Sequence, residues 1–223
     1  MNDDRDEALM KSVASKLYTA ALSDVLDELG YRDQAMRPSV RPLDDALTMV
    51  GRARTGLYRE VYSVVAGVNP YELEISLVDS LASHEVAVFG CGGSTRIAPW
   101  GELLSTAARV RGAAGCVTDG YVRDIRAIRA LHFPVFHGGI APLDSKGRGM
   151  VAEIDVPISC AGVRVVSGDL VVGDADGVVV VPRAIEAQAL EKAFAKVASE
   201  NVTRLELEQG ASLAEVFARH NVL

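Results

Sequence analysis

Residues 86–139 have the sequence "VAVFGCGGSTRIAPWGELLSTAARVRGAAGCVTDGYVRDIRAIRALHFPVFHGG". A buried apolar run ends in glycines, and a helical segment with an apolar face begins near Gly101. A short strand, "CVTDG", a short helix, "RDIRAIRAL", and a further strand, "FPVFHGG", follow. Strands that alternate with helices over so few residues favour parallel pairing with helical crossovers.

The flanking segments complete an α/β pattern. N-terminal helices are predicted over about 7–30, the second with Ser23 as N-cap and Gly30 as its C-terminal stop. "ALTMVGRARTGLY" is strand-like and "ELEISLVDSLAS" helical. A valine-rich run of strands begins near residue 150, and C-terminal helices are predicted over about 183–219. We therefore expect residues 1–223 to form a single α/β domain with a mixed sheet.

Composition excludes several classes of function. The 223 residues carry a formal net charge of −7 without a long basic run, which argues against nucleic-acid binding. No apolar run approaches the ~20 residues that cross a bilayer, and the acidic start "MNDDRDEALM" resembles neither a secretory signal nor a transit peptide. The three cysteines lie far apart, so we expect reduced, mostly buried thiols in a cytoplasmic protein.

Several motifs that suggest chemistry are incomplete. "GCGGST" has neither dinucleotide-binding nor phosphate-loop spacing, so a loop that must bend is the better interpretation. The histidines (His84, His132, His137 and His220) lack metal-site spacing. "DADGVVVV" begins like a calcium loop, but a hairpin turn fits its valines better.

The first candidate segment is "WGELL". Unpaired N–H groups at a helix N-terminus and the helix dipole both favour an anion there. We expect the backbone of Gly101, Glu102, Leu103 and Leu104 to be able to bind a small carboxylate. The alternative is an ordinary helix N-terminus with Glu102 in its first turn.

The second candidate is "DGYVRD", residues 119–124, at the predicted end of a strand. Asp124 is an oxygen ligand suited to Mg²⁺ or Mn²⁺, and Arg123 presents a planar fork for a carboxylate or an enolate oxygen. Asp119 is interpreted as part of the strand-end turn. The alternative is a capping Asp124 beside a solvated Arg123. Because successive parallel strands end side by side, two helix starts 22 positions apart are expected to address one small molecule.

These segments together resemble a known family. "GELLSTAARVRGAAGCVTDGYVRDIRAI", then "PVF", "GVRVVSGDLVVGDADGVVVVP" and a long helix resemble the RraA family, named for regulator of ribonuclease E activity A. Within it, the likeness is greatest to the 4-hydroxy-4-methyl-2-oxoglutarate/4-carboxy-4-hydroxy-2-oxoadipate aldolases. The resemblance covers roughly residues 20–205.

The resemblance implies an α/β/α sandwich with a mixed swivelling-type β core and C-terminal helices, assembled as homotrimers or hexamers with sites between subunits. It also implies a class II pyruvate aldolase that requires Mg²⁺ or Mn²⁺ and also decarboxylates oxaloacetate. By the resemblance, backbone groups of 101–104 hold the pyruvate part, Arg123 contacts substrate, and Asp124 is the metal ligand and catalytic with Arg123.

One residue departs from the family pattern. The aldolases often carry an acid three residues after the metal-binding aspartate, and here that position is Ala127. Glu191 or Glu200 of a neighbouring subunit is a possible substitute. The non-catalytic, protein-binding regulators of a ribonuclease are the alternative reading; the resemblance implies that they lack an acid at the position of Asp124.

Overall fold

The structure is a computed structural model that describes residues 3–220. Seven α-helices and ten strands are defined within this range. The helices are α1 (Asp3–Lys16), α2 (Thr19–Glu28), α3 (Glu72–Asp79), α4 (Glu102–Val110), α5 (Ile125–Leu131), α6 (Glu186–Glu208) and α7 (Leu213–His220). The strands are β1 (Arg41–Pro42), β2 (Met49–Glu60), β3 (Glu85–Gly90), β4 (Gly115–Val122), β5 (Val135–Ile140), β6 (Gly149–Ile154), β7 (Ile158–Cys160), β8 (Val163–Val165), β9 (Leu170–Asp174) and β10 (Gly177–Val181).

Eight strands form one mixed sheet. Its order is β1-β5-β4-β3-β2-β9-β10, with β6 also paired to β2. The strands β2, β3, β4 and β5 are parallel neighbours, as the alternation of strands and helices predicts. The long β2 has room for three partners because β6 pairs with its second half and β9 with its first. The remaining strands, β7 and β8, form a separate hairpin.

The sheet is curled, and successive side chains along a strand point alternately to an inner and an outer apolar cluster. Along β3, Val86 and Val88 belong to an inner apolar cluster that also contains side chains of β7, β8 and β10. The alternating residues Ala87 and Phe89 point to an outer cluster with α3, α4 and α5. A second outer cluster packs α1, α2 and α6 against β9 and β10. A nearly closed mixed sheet therefore lies between two groups of helices, and the predicted α/β class with C-terminal helices is confirmed.

Most of the predicted helix and strand boundaries are confirmed, but the predicted start of α2 is wrong. Gly30 ends α2 with a positive φ of 86°, and the Tyr31 N–H donates to the Leu26 carbonyl across it, as in a glycine C-cap. Ser23 is not an N-cap, because α2 begins four residues earlier at Thr19. The N–H and hydroxyl of Thr19 both donate to the Asp174 carboxylate, at 2.8 and 2.7 Å. A contact across 155 positions thus fixes this helix start.

The predicted turn at Asp119 is also wrong, since Asp119 lies within β4 and is buried. Its carboxylate accepts hydrogen bonds from the N–H groups of Cys91 (2.6 Å), Gly93 (3.0 Å) and Ala161 (3.2 Å). Gly92 and Gly93 adopt positive φ, so the interpretation of "GCGGST" as a bending loop is confirmed. Asp119 therefore joins β4, the glycine loop after β3 and the β7–β8 hairpin.

The remaining features agree with the sequence. Asp174 pairs with Gly177 at the two-residue turn between β9 and β10, so "DADG" forms a hairpin. The cysteines Cys91, Cys116 and Cys160 are all buried and unpaired. Within residues 3–220, no helix combines the length and the apolar character needed to cross a membrane.

We predict that Asp119→Ala lowers the free energy of unfolding by about 3 kcal/mol, because three backbone N–H groups lose a charged acceptor. Urea denaturation followed by circular dichroism measures this change. Asp45→Ala is the matched control, since Asp45 is exposed and its substitution is expected to cost less than about 0.5 kcal/mol. Similar losses for both variants would contradict a structural role for the Asp119 carboxylate.

Candidate functional site

The two candidate segments lie side by side. Trp100 pairs with Val122 in a parallel bridge, and the Arg123 N–H donates to the Trp100 carbonyl at 3.1 Å. This pairing places the first residue of α4 beside Asp124. The Glu102 N–H donates to Asp124 Oδ2 at 3.2 Å. The two helix starts, 22 residues apart in the sequence, therefore lie side by side.

Gly101 is required by this close approach. Its backbone is extended, with φ of −153°, which any residue adopts. A Cβ at this position would lie 2.7 Å from Asp124 Oδ2 and 3.3 Å from Arg123 Cγ. The absent side chain leaves room for the Asp124 carboxylate at the positive end of α4. One of the predicted anion-binding amides, that of Glu102, is thus already paired within the chain.

Asp124 has an unusual backbone conformation. Its φ of 62° and ψ of 33° are left-handed, although it directly precedes α5. Its carbonyl accepts the N–H groups of Ala127 and Ile128, whereas its carboxylate reaches the neighbouring helix α4. A non-glycine residue in this region costs about 1–2 kcal/mol. Asp124 is therefore a capping residue, as the alternative interpretation held. Its carboxylate, however, caps α4 and not α5, the helix that Asp124 precedes.

The Arg123 guanidinium is half-exposed and only loosely paired. Its Nη1 donates to the Leu143 carbonyl at 3.3 Å. Its charged partners are further away, with Asp124 Oδ2 at 3.7 Å from Nε and Asp144 Oδ1 at 3.9 Å from Nη1. Loose, exposed ion pairs contribute little stability. The N–H groups at the edges of the guanidinium thus keep donor capacity for an anion in the cavity.

A cavity of about 320 Å³ opens at these residues. Its wall includes every residue of the predicted site except Glu102, namely Gly101, Leu103, Leu104, Arg123 and Asp124. Sequence reasoning missed four polar members of the same wall: Tyr71, Glu74, Asp144 and Ser145.

Glu74 is the buried carboxyl of the cavity, with 5% of its surface exposed. Burial raises its pKa to about 7, although the hydrogen bond from the Tyr58 hydroxyl acts in the opposite direction. That hydroxyl donates to Glu74 Oε1 at 2.6 Å. A sequence signal existed, because Glu74 precedes Leu77 and Val78 by three and four positions and so shares the buried face of α3. Neighbouring acids on the exposed face obscured it.

Asp144 and Tyr71 form the other polar pair. The Tyr71 hydroxyl donates to both Asp144 oxygens, at 2.9 and 2.7 Å. Burial and this hydrogen bond raise the pKa of Tyr71 to about 12. Burial would raise the pKa of Asp144, but hydrogen bonds from Tyr71 and the Lys146 N–H, with the Arg123 charge, hold it below its ordinary value. Asp144 is therefore an ionised acceptor at neutral pH.

The donor set at Asp124 fits a hard divalent cation that retains most of its waters. Its side chain is 47% exposed, and within residues 3–220 no hydrogen-bond donor reaches Oδ1. Such cations accept one protein carboxylate together with water and substrate oxygens. In the same range no group of three or more His, Cys, Asp or Glu side chains is arranged to hold a metal ion. A metal ion held by Asp124 would therefore take most of its remaining ligands from water or substrate oxygens.

The two helix-α6 acids lie away from this cavity within one chain. Glu200 pairs with Lys196 at 3.3 Å, and Glu191 is exposed. Neither belongs to the cavity wall. Ala127 is exposed and is also absent from that wall.

A curled mixed α/β sheet carries a cavity at which a helix N-terminus, an arginine and an aspartate meet. Cavities at strand ends are where α/β proteins commonly bind small molecules. The sequence model of the RraA-like family, described as Aldolase/RraA, matches residues 19–180. This protein belongs to that family.

Similar proteins carry two kinds of description. A protein of Halalkalibacterium halodurans, named "Putative 4-hydroxy-4-methyl-2-oxoglutarate aldolase", is 38% identical over 182 residues, 82% of this chain and 80% of that protein. The structure of Streptomyces coelicolor RraAS2, "an unusual member of the RNase ES inhibitor RraA protein family", has a TM-score of 0.79 at 28% identity and covers 89% of this chain and 96% of its own. An uncharacterized Pseudomonas syringae protein has a TM-score of 0.80 at 29% identity, over 92% and 96% of the two chains.

We predict that Asp124→Gly and Asp124→Ala differ in stability by about 1 kcal/mol, with glycine the more stable. Both variants lose the cap on α4. Only alanine has a Cβ, which makes the left-handed backbone conformation at this position costly. Urea denaturation of the two variants measures the difference. Equal stabilities would show that the backbone relaxes away from the left-handed conformation once the carboxylate is removed.

Proposed function

We propose that this protein is a divalent-metal-dependent, class II aldolase. It cleaves 4-hydroxy-2-oxo dicarboxylic or tricarboxylic acids to pyruvate and a second oxo acid, and it decarboxylates oxaloacetate as a side activity. The observation that carries the proposal is the convergence of the α4 N-terminus, Arg123 and Asp124 on one cavity. The relative named as an aldolase, at 38% identity, supports it.

The chain's own groups account for substrate binding and charge stabilisation. We expect the first-turn amides of α4 at Leu103 and Leu104, two residues of the cavity wall, to hold a substrate carboxylate. The Arg123 fork stabilises the negative charge that develops on the C2 oxygen as the C3–C4 bond breaks. Leu103, Leu104 and Trp100 keep that end of the cavity apolar, which strengthens both interactions.

Asp124 would hold the cation, Mg²⁺ or Mn²⁺. When bound, the cation supplies Lewis acidity at the 2-oxo group. The cap contact with Glu102 fixes one Asp124 oxygen, so the other is presented in a defined direction. Oxaloacetate has the same 2-oxo acid end, so the same groups serve its decarboxylation.

The proposal includes an assembly of homotrimers or hexamers. Support comes from large apolar side chains that are exposed: Leu103 and Val110 on α4 are each 78% exposed, and Ile140 at the end of β5 is 57% exposed. Leu103 is also part of the cavity wall. Burial of such side chains against a second copy of the chain would remove them from water. An assembly of this kind would also bring further carboxylates, Glu191 or Glu200 among the candidates, to the cavity.

Pyruvate release from a panel of 4-hydroxy-2-oxo acids and from oxaloacetate, coupled to lactate dehydrogenase, tests the function. We expect turnover with Mg²⁺ or Mn²⁺, loss of turnover with EDTA, and loss in Asp124→Asn. Equal rates in all three conditions would refute the metal-dependent reaction. Absence of turnover, together with specific capture of a ribonuclease, would instead support the regulator class to which the RraAS2 description refers.

For Arg123→Ala we predict a loss of about 3 kcal/mol in transition-state stabilisation, roughly 100-fold or more in kcat/KM. Arg123→Lys is expected to recover only part of it, because an ammonium lacks the bidentate fork. Arg126→Ala is the matched control, since Arg126 is exposed on α5 and no ion pair is formed by it within residues 3–220. An Arg123→Ala enzyme as active as the control would exclude the assigned role.

A further inference from the structure

The proposed reaction needs a group that moves a proton, and few residues in the cavity are suitable. None of the four histidines and none of the lysines belongs to its wall. The Ser145 hydroxyl donates to the Ala98 carbonyl, and the raised pKa of Tyr71 keeps its phenol protonated at neutral pH. The choice within this chain is therefore among three carboxyl groups.

Two of the three carboxyls already have other partners. Asp124 Oδ2 accepts the Glu102 N–H, and the residue is assigned to the cation. Both oxygens of Asp144 accept the Tyr71 hydroxyl, and the Lys146 N–H adds a donor at 3.3 Å. Although burial would raise the pKa of Asp144, these hydrogen bonds and the Arg123 charge hold it below its ordinary value, so its carboxylate is a weak base. Neither group is suited to take up and return a proton.

Glu74 differs from both in its surroundings. One oxygen, Oε1, accepts the Tyr58 hydroxyl, and within residues 3–220 no donor reaches Oε2. The side chain is part of the cavity wall although only 5% of the residue is exposed. A free carboxyl oxygen in an apolar, concave site has the geometry of a general base.

We propose that Glu74 is the general base and acid of the reaction, an assignment that rests on the proposed function. Glu74 Oε2 takes the proton of the substrate 4-hydroxyl. The C3–C4 bond then breaks, C4 becomes the carbonyl carbon of the second oxo acid, and the bonding electrons pass to the enolate of pyruvate. The same carboxyl returns the proton to C3, which gives the methyl group of pyruvate. No other reactant is consumed.

The groups around Glu74 agree with this cycle. Burial raises its pKa to about 7, and the charge of Asp144 adds to the rise, whereas the Tyr58 hydrogen bond and the charge of Arg123 lower it. The buried Cys91 thiol is also close enough to interact with it. From α4 only Leu103 and Leu104 reach the cavity wall, together with Gly101 before the helix, and β6 contributes no residue to it. At neutral pH both protonation states of Glu74 are therefore accessible, as a group that accepts and then donates a proton requires.

The experiment compares two reactions that depend differently on Glu74. Exchange of the pyruvate methyl protons in D₂O, followed by NMR, requires a base at C3. Decarboxylation of oxaloacetate breaks a bond to CO₂ without a hydroxyl proton to remove, and water can protonate the enolate that is released. For Glu74→Gln we expect exchange to fall about 100-fold or more and decarboxylation to stay within about 10-fold of the wild type.

Two further variants separate catalysis from structure. Glu72→Gln, at an exposed position of the same helix, is the matched control and is expected to leave both reactions unchanged. Tyr58→Phe removes a hydrogen bond that lowers the pKa of Glu74, so the rise of the exchange rate with pH near 7 is expected to move to higher pH. Because the folded-state pKa is raised, Glu74 destabilises the fold as pH increases from 4.5 to about 7. Glu74→Gln should lose that pH dependence in urea denaturation, which also shows that it folds.

The outcomes are distinct. Selective loss of exchange in Glu74→Gln supports the assignment. Equal loss of both reactions, an unchanged exchange rate, or a wild type that decarboxylates oxaloacetate without exchanging pyruvate protons overturns it and leaves the proposed function intact. A wild type inactive in both reactions overturns the proposed function and this assignment with it.

Discussion

The Asp119 carboxylate connects the parts of the structure that create the site. It lies inside β4 and binds backbone N–H groups of the loop after β3 and of the β7–β8 hairpin. The loop must leave β3 along a path that returns to β4, because Trp100 pairs with Val122. That path determines the position of Gly101, after which α4 begins. A buried charge held by three donors is tolerated, and removal of the charge would leave those donors without a partner.

The three carboxyl groups of the cavity have different surroundings. Asp124 is exposed and caps α4, Asp144 is held ionised by Tyr71, and Glu74 is buried with its pKa raised to about 7. Arg123 forms loose ion pairs with Asp124 and Asp144, and its charge lowers the pKa of Glu74. Carboxyls whose pKa values are pushed apart by their environments are suited to different tasks. The same division suggests metal ligation for the first, orientation of Arg123 for the second and proton transfer for the third.

The sequence predicted features that depend on neighbouring residues and missed those that depend on distant ones. The start of α4 directly after Gly101, the end of α2 near Gly30 and the alternating strands were evident from local pattern. The start of α2 was not, because Asp174 is 155 positions away. Asp119 looked like a turn residue because its three partners lie 26 to 42 positions away. In the site, Arg123 and Asp124 were found by their place after a strand, whereas Glu74 lay in a segment with no motif.

The structure shows what the departure from the family pattern at Ala127 means for the site. Ala127 is exposed one turn after the Asp124 backbone and is not part of the cavity wall. Glu74 belongs to another helix, α3, is part of the cavity wall and is nearly inaccessible to water. The absence of an acid at position 127 therefore leaves the interior carboxyl in place. A chain with Ala127 in place of the acid retains within its own fold a group with the burial and the free oxygen that proton transfer needs.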